Sequence, residues 1–178
     1  MQEKKKNVII EKPIGISLDN IDEIRELANR KNVKVTVIAQ SRFDGALGNV
    51  KRMLENDELG KILFVNADIV NNEPARNYEE SAWKTSKERA GGGILIMKAI
   101  HLIDVLLWLF GDVDRVYGKI DTVKHKIEVE DTASALLKMK NGALISLHAT
   151  GSANYSHPFR IMIYGEKESL MVEAGKVI

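Results

Sequence analysis

Gly91-Gly92-Gly93-Ile94-Leu95-Ile96-Met97-Lys98-Ala99-Ile100-His101-Leu102-Ile103-Asp104 runs directly into Val105-Leu106-Leu107-Trp108-Leu109-Phe110-Gly111. Three glycines in a row are too flexible to hold regular structure. The apolar run behind them is long enough for several helical turns and stops at a glycine placed like a C-cap. Its apolar residues occupy nearly every side, so the segment is expected to be a helix inside the domain, where any polar side chain needs a partner. His101 and Asp104, three apart, share a face, with Met97 and Lys98 one turn earlier on much the same face. Two readings of His101 stay open. It is either a core histidine satisfied by a neighbouring carboxylate or part of a ligand site. The glycines favour the site, because residues without Cβ atoms let a ligand approach the backbone and a helix N-terminus offers unpaired N–H groups.

Composition bounds the rest. A chain of 178 residues, 44% hydrophobic and 29% charged, describes one ordinary soluble globular unit large enough to bury a core. Twenty-six Lys and Arg against 25 Asp and Glu leave a net charge of +1, so no global field favours nucleic acid or an anionic membrane. Lys4-Lys5-Lys6 is too short to count as more than a solvated chain end. Absence of cysteine removes disulfides, thiolate nucleophiles and zinc–cysteine sites. His101, His125, His148 and His157 show no metal-ligand spacing, and no metal is expected. With no apolar signal core, and with Lys98, His101 and Asp104 interrupting the apolar helix, a cytoplasmic protein without a membrane span is expected.

Outward from the helix, Val8-Ile9-Ile10 suits a buried strand ending at Glu11-Lys12-Pro13, the kind of strand edge where open α/β sheets bind ligands. Ser17 is placed to cap a helix carrying Leu18, Ile21, Ile24, Leu27 and Ala28 at helical spacing, and residues 33–39 form the next strand. Two parallel strands cannot cover both their faces, so this piece must pack on something else. A second amphipathic helix places Ala46, Leu47, Val50, Met53 and Leu54 on its core side and closes at Leu59-Gly60. Residues 62–70 are a strand, and the polar stretch from Asn71 to Arg89, with Pro74, Tyr78 and Trp83, is a long connection of the kind that is functional or mobile. After the helix come strands near 114–124, at Thr132 to Lys140, after an Asn141-Gly142 hairpin, at Phe159 to Tyr164 and at Ser169 to Glu173. The fold class is α+β: a mainly antiparallel open sheet with helices on one face, preceded by a strand-helix-strand unit.

Several anchors, taken in order, resemble the glucose-fructose oxidoreductase and inositol dehydrogenase (Gfo/Idh/MocA) family. They are Val8-Ile9-Ile10-Glu11-Lys12-Pro13, Ser41-Arg42-Phe43, Leu59-Gly60-Lys61-Ile62, Trp83-Lys84 and the glycines with the helix carrying His101 and Asp104. Val129-Glu130-Asp131-Thr132 and Tyr164-Gly165-Glu166-Lys167-Glu168 complete the set. The resemblance implies residues 1–40 as the end of a Rossmann domain and 41–178 as a substrate-binding and oligomerisation domain, stopping sooner than full-length members do. Gly-x-Gly-x-x-Gly, the dinucleotide fingerprint, does not occur here. Met97 stands where the family's usual catalytic aspartate lies, four residues before the histidine, and a thioether takes no proton at neutral pH.

The resemblance further implies hydride transfer between NAD or NADP and a carbon of a sugar, sugar acid or nucleotide sugar. His101 is the implied acid/base, and Lys12 the cation that orients the sugar hydroxyl. Glu11, Lys12, Pro13 and Trp83 border the cofactor, while Arg42, Lys98 and Asp104 face substrate, Lys98 suiting an acidic sugar and Asp104 holding the histidine. This chain alone is expected to bind no cofactor, and to form a homo-oligomer through its open sheet face. Three functions compete: an oxidoreductase whose nucleotide-binding half lies outside the chain, a sugar-binding module that lost its cofactor site, and a structural oligomerisation domain. NAD or NADP is not readable, because the residue that distinguishes them at the ribose lies in the other half.

Overall fold

The computed structural model describes residues 5–178. Lys4, first of the three lysines expected at a solvated end, lies outside the described residues. Val8–Ile10 (β1), Leu18–Lys31 (α1) and Val35–Val37 (β2) form the strand-helix-strand piece, with β1 and β2 parallel and Val8 opposite Val35. Ser17 caps α1 by accepting the Asn20 amide at 3.3 Å, and Asn32 ends it at φ 48° in the left-handed region that asparagine tolerates. Among the described residues this small sheet is only thinly covered: Ile10, Val35 and Val37 are half-buried. No α1 residue is fully buried, and Ile9 and Leu18 are 74% and 78% exposed, while Ile21, Ile24 and Ala28 are half-buried, so the apolar face expected from the spacing exists but is only partly covered.

Gly45–Glu55 (α2) begins where the Asp44 carboxylate accepts the amides of Ala46 and Leu47. After it come Ile62–Asn72 (β3), Ala75–Glu79 (α3), Lys87–Ala90 (α4), Ile100–Phe110 (α5), Val113–Asp121 (β4), Thr132–Met139 (β5), Leu144–Thr150 (β6), Ser152–Gly165 (β7), Ser169–Glu173 (β8) and Lys176–Val177 (β9). The larger sheet has the order β4-β5-β6-β3-β7-β8-β9. Only β3 and β6 pair in parallel; every other neighbouring pair is antiparallel. Leu47 and Val50 of α2 and Leu102, Val105, Leu106 and Leu109 of α5 close against Val65, Leu137, Ile145, Ile161, Ile163 and Val172 of the sheet. Each such side chain contributes about 1.5–3 kcal/mol by leaving water. The fold is α+β with helices against one face, as the alternation in β5 and β6 implies.

Three segments differ from expectation. β7 starts at Ser152 rather than Phe159, because its first residues are polar, include Pro158, and pair with the end of β3 through register shifts between Asp68, Val70 and Asn72. Between Asn71 and Arg89 the chain is not an open connection. It holds α3, a 3₁₀ turn at Ala82–Thr85 and most of α4, each too short to print a helical period. The central helix is entered through a π turn at Leu95–Ala99 before α5 begins. By length and composition alone the run Lys87–Phe110 is apolar enough to cross a membrane. In this fold Leu102, Val105, Leu106, Leu109 and Phe110 are buried in the core.

Candidate active site

Glu130, just ahead of β5, organises the entry to the central helix. Its carboxylate accepts the amides of Gly93 at 2.9 Å and Leu95 at 3.2 Å, and its carbonyl accepts Ile94 N–H at 2.9 Å. The orphan donors at the start of the helix are thus taken by the protein itself. A Cβ on Gly93 would lie 1.8 Å from the Glu130 carbonyl oxygen, and one on Gly91, at φ +75°, would lie 2.7 Å from the Ile16 Cβ. The expectation that these glycines open the backbone to a ligand is corrected: they admit neighbouring segments of the same chain.

The next residue ties down the opposite side. Asp131 is fully buried and accepts the amides of Val123, Lys124 and His125 at 2.9–3.0 Å. Burial pushes its carboxyl pKa up, but those three amides and Ser152 outweigh it and hold the group well below the usual carboxylate range. The His125 ring, 4% exposed at the side chain, sits with Nδ1 3.1 Å from Asp131. Its Nε2–H donates to the Glu73 carbonyl at 2.9 Å. Glu73 N–H in turn donates to Gly151 at 2.8 Å. Both backbone groups of Glu73 are therefore fixed, and its carboxylate is left to face a cavity.

That cavity, about 670 Å³, is lined by Lys12, Pro13, Ile16, Glu73, Asn77, Trp83, Lys84, Arg89, Ala90, Ile94, Ile96, Met97, Lys98 and His101. A second, of about 230 Å³, is lined by Lys12, Val37, Ile38, Ala39, Ser41, Arg42, Ile100, His101 and Asp104. Lys12 and His101 alone belong to both. Lys12 follows β1 and His101 lies in the first turn of α5, and the Lys12 ammonium donates to the Met97 carbonyl at 2.9 Å. An ammonium has three N–H bonds, so two remain for a ligand. At Met97, the position where the resembled family usually carries an aspartate, it is the main-chain carbonyl that receives the lysine.

The expected site residues divide between the cavities. Pro13, Trp83 and Lys98 line the larger one and Arg42 and Asp104 the smaller, while Glu11 lines neither. Asp104 pairs with Arg42 through two contacts, Nε to Oδ2 at 2.9 Å and Nη2 to Oδ1 at 2.6 Å. Lys98 pairs with Glu73 at 3.0 Å. Glu73, Asn77 and Arg89 were assigned no role from the sequence, and Lys84 entered only as part of the Trp83-Lys84 anchor, because all four fall in the aperiodic stretch. A further signal there was a carboxylate before Pro74 at the end of a strand.

Electrostatics favours a neutral imidazole. Burial, then the Lys12 charge, lowers the His101 pKa, with Asp104 and Glu11 acting the other way. Lys12 is itself lowered, by burial first and then by Lys98, against Glu11. A neutral histidine beside a cation can take a proton from a hydroxyl that the cation holds. Among the described residues, no group of three His, Asp or Glu side chains could hold a metal ion.

A family model described as the GFO/IDH/MocA C-terminal domain matches residues 47–171. The chain belongs to that family. The WlbA dehydrogenase of Bordetella pertussis, solved with NADH and UDP-GlcNAcA, superposes with a TM-score of 0.90 at 29% identity, covering 95% of this chain and 49% of that one. The myo-inositol 2-dehydrogenase of Thermotoga maritima is 27% identical over 174 residues, 95% of this chain and 50% of its own. An uncharacterized oxidoreductase of Synechocystis is 28% identical over 179 residues, 94% and 48%. The chain spans about half the length of the curated relatives it matches.

Proposed function

We propose that this chain is the substrate-side part of an NAD(P)-dependent oxidoreductase that acts on a sugar, sugar acid or nucleotide sugar in the cytoplasm. Residues 5–40 belong to its nucleotide-binding domain, and residues 41–178 form the substrate and oligomerisation domain. The observation that carries this reading is the convergence of Lys12, from the end of a strand in the small sheet, and His101, from the central helix, at the boundary between two cavities. The residues present fit the ring end of a nicotinamide cofactor: Pro13, Ile16 and Trp83 supply apolar surface in the larger cavity beside Lys12 and His101. Its diphosphate calls for a glycine-rich turn that this sequence does not contain.

When bound, the nicotinamide supplies the acceptor or donor of hydride. The two free N–H bonds of Lys12 hold the reacting hydroxyl oxygen and stabilise negative charge on it as the proton leaves. His101 takes that proton at an imidazole nitrogen, or returns it in the reverse direction. Lys98 faces the substrate, and Arg42 and Asp104 brace the smaller cavity. Tyr117, Leu136 and Leu144, exposed on the outer sheet face, form the contact with a second copy.

Met97 favours a second reading, a sugar-binding module without catalysis, since no carboxylate stands one turn before His101. Joining the chain to a relative's nucleotide-binding half and following nicotinamide reduction across a panel of sugars separates the two. Turnover supports the oxidoreductase; saturable sugar binding without turnover supports the module. NADH fluorescence with the chain alone is expected to show no saturable micromolar binding.

A further inference from the structure

The larger cavity carries more positive charge than a neutral sugar needs. Lys12, Lys84, Arg89 and Lys98 line it, and Glu73 is the one carboxylate among the lining residues. Lys12 is committed to Met97. The Lys84 ammonium rests 5.8 Å from the Trp83 ring centroid, and Arg89 has no ion-pair partner among the described residues. Unopposed cations in a partly enclosed space raise the local concentration of anions.

Glu73 and Lys98 differ in how firmly they are held. Glu73 is 17% exposed at the side chain against 46% for Lys98, and its backbone is bonded at both ends. Its other carboxylate oxygen accepts Asn77 Nδ2–H at 3.0 Å. Burial pushes the Glu73 pKa up, but Asn77 and Lys98 outweigh this and keep it ionised. If the pair opens, Glu73 keeps Asn77, whereas Lys98 swings on a flexible stem and has no other carboxylate partner among the described residues. The carboxylate sits where an incoming anion would sit.

We propose that Lys98, with Lys84 lining the same cavity, is the receptor for a carboxylate or phosphate group on the substrate, and that Glu73 is a built-in competitor that occupies Lys98 until that group arrives. This rests on the reading of the cavity as a sugar site, and it makes the preferred substrate an anionic sugar. Glu73 then sets specificity by charge, since a neutral sugar leaves the internal pair in place.

Calorimetric titration of the full 178-residue chain with D-glucose, D-glucuronate and D-glucose 6-phosphate tests the proposal without requiring turnover. At least one charged probe should bind about tenfold tighter than glucose, with the preference falling as salt rises. The better charged probe tells carboxylate from phosphate. Glu73→Gln should tighten that probe a further threefold to tenfold by removing the competitor, and Lys98→Met should abolish the preference for the charged probe over glucose. Equal binding of all three sugars, no binding of any, or an unchanged or weakened charged probe in Glu73→Gln would overturn it. So would a Glu73→Gln effect on NADH alone, which would assign the anion to the cofactor. Because binding is read directly, loss of the oxidoreductase reading through absent turnover is a separate result.

Discussion

Arg42 and Asp104, 62 positions apart, meet in a two-point ion pair with contacts of 2.9 and 2.6 Å. The pair joins the turn after β2 to α5, and so ties the small sheet to the helix that packs on the large one. Asp104 is thereby bound to arginine rather than to His101, and reaches the imidazole only through its charge.

The first prediction concerns that charge. His101 should titrate below the ordinary histidine value of about 6.5. Lys12→Met should raise its pKa by removing a nearby cation, and Asp104→Asn should lower it further. The imidazole C–H resonances followed against pH give all three values. An unperturbed His101, or a downward move in Lys12→Met, contradicts the electrostatic picture. A lowered folded-state pKa also means that the unfolded chain binds its proton first, so His101 costs stability as pH falls below about 6.5.

Gly93 and Gly48 should respond to alanine in opposite directions. A Cβ at Gly93 meets the Glu130 carbonyl at 1.8 Å, whereas one at Gly48, inside α2, meets nothing within 4 Å. Gly93→Ala is expected to cost about 3 kcal/mol or more through backbone displacement, and Gly48→Ala to add about 0.5–1 kcal/mol. Urea denaturation midpoints measure both.

Asp131→Ala should destabilise by about 3–5 kcal/mol, because it strips a buried carboxylate from His125 and three amides. The depressed carboxyl pKa makes the same group an acid-labile element. Its contribution is complete above the unfolded value of about 3.9 and is lost as pH falls toward the folded one. Acid unfolding followed by circular dichroism should shift to higher pH in a weakened variant such as Asp131→Asn.

What the sequence disclosed follows from period and spacing. The face of Ala133, Ala135, Leu137 and Met139, the return face through Ile145 and Leu147, the Ser17 cap and the buried helix were all legible, because each repeats at a period that geometry imposes. His101 stood out as a polar residue in a buried helix and Lys12 as a charge at a strand edge, but their catalytic roles were legible only through the resemblance. Glu130, Asp131 and Glu73 were not assigned their work, because their partners lie across the fold: Glu130 bonds residues 35 and 37 positions away, and no local pattern encodes that. The glycines misled for the same reason, since a bare backbone signals close approach without saying what approaches.

Leu136→Asp tests the sheet face. Tyr117, Leu136 and Leu144 are 61%, 40% and 37% exposed in the single chain, and burial against a second copy would remove them from water. Light scattering should give an oligomer for the unaltered chain and a monomer for the variant. A monomer in both across a concentration series contradicts the proposed contact.

The most direct test of the central claim is the steady-state rate of nicotinamide reduction by the chain joined to a nucleotide-binding half, with and without His101→Ala. If His101 moves the proton, kcat should fall about 10²- to 10⁴-fold while KM changes little, because the group acts in the transition state. Unchanged kcat in His101→Ala would remove the residue on which the proposed chemistry depends.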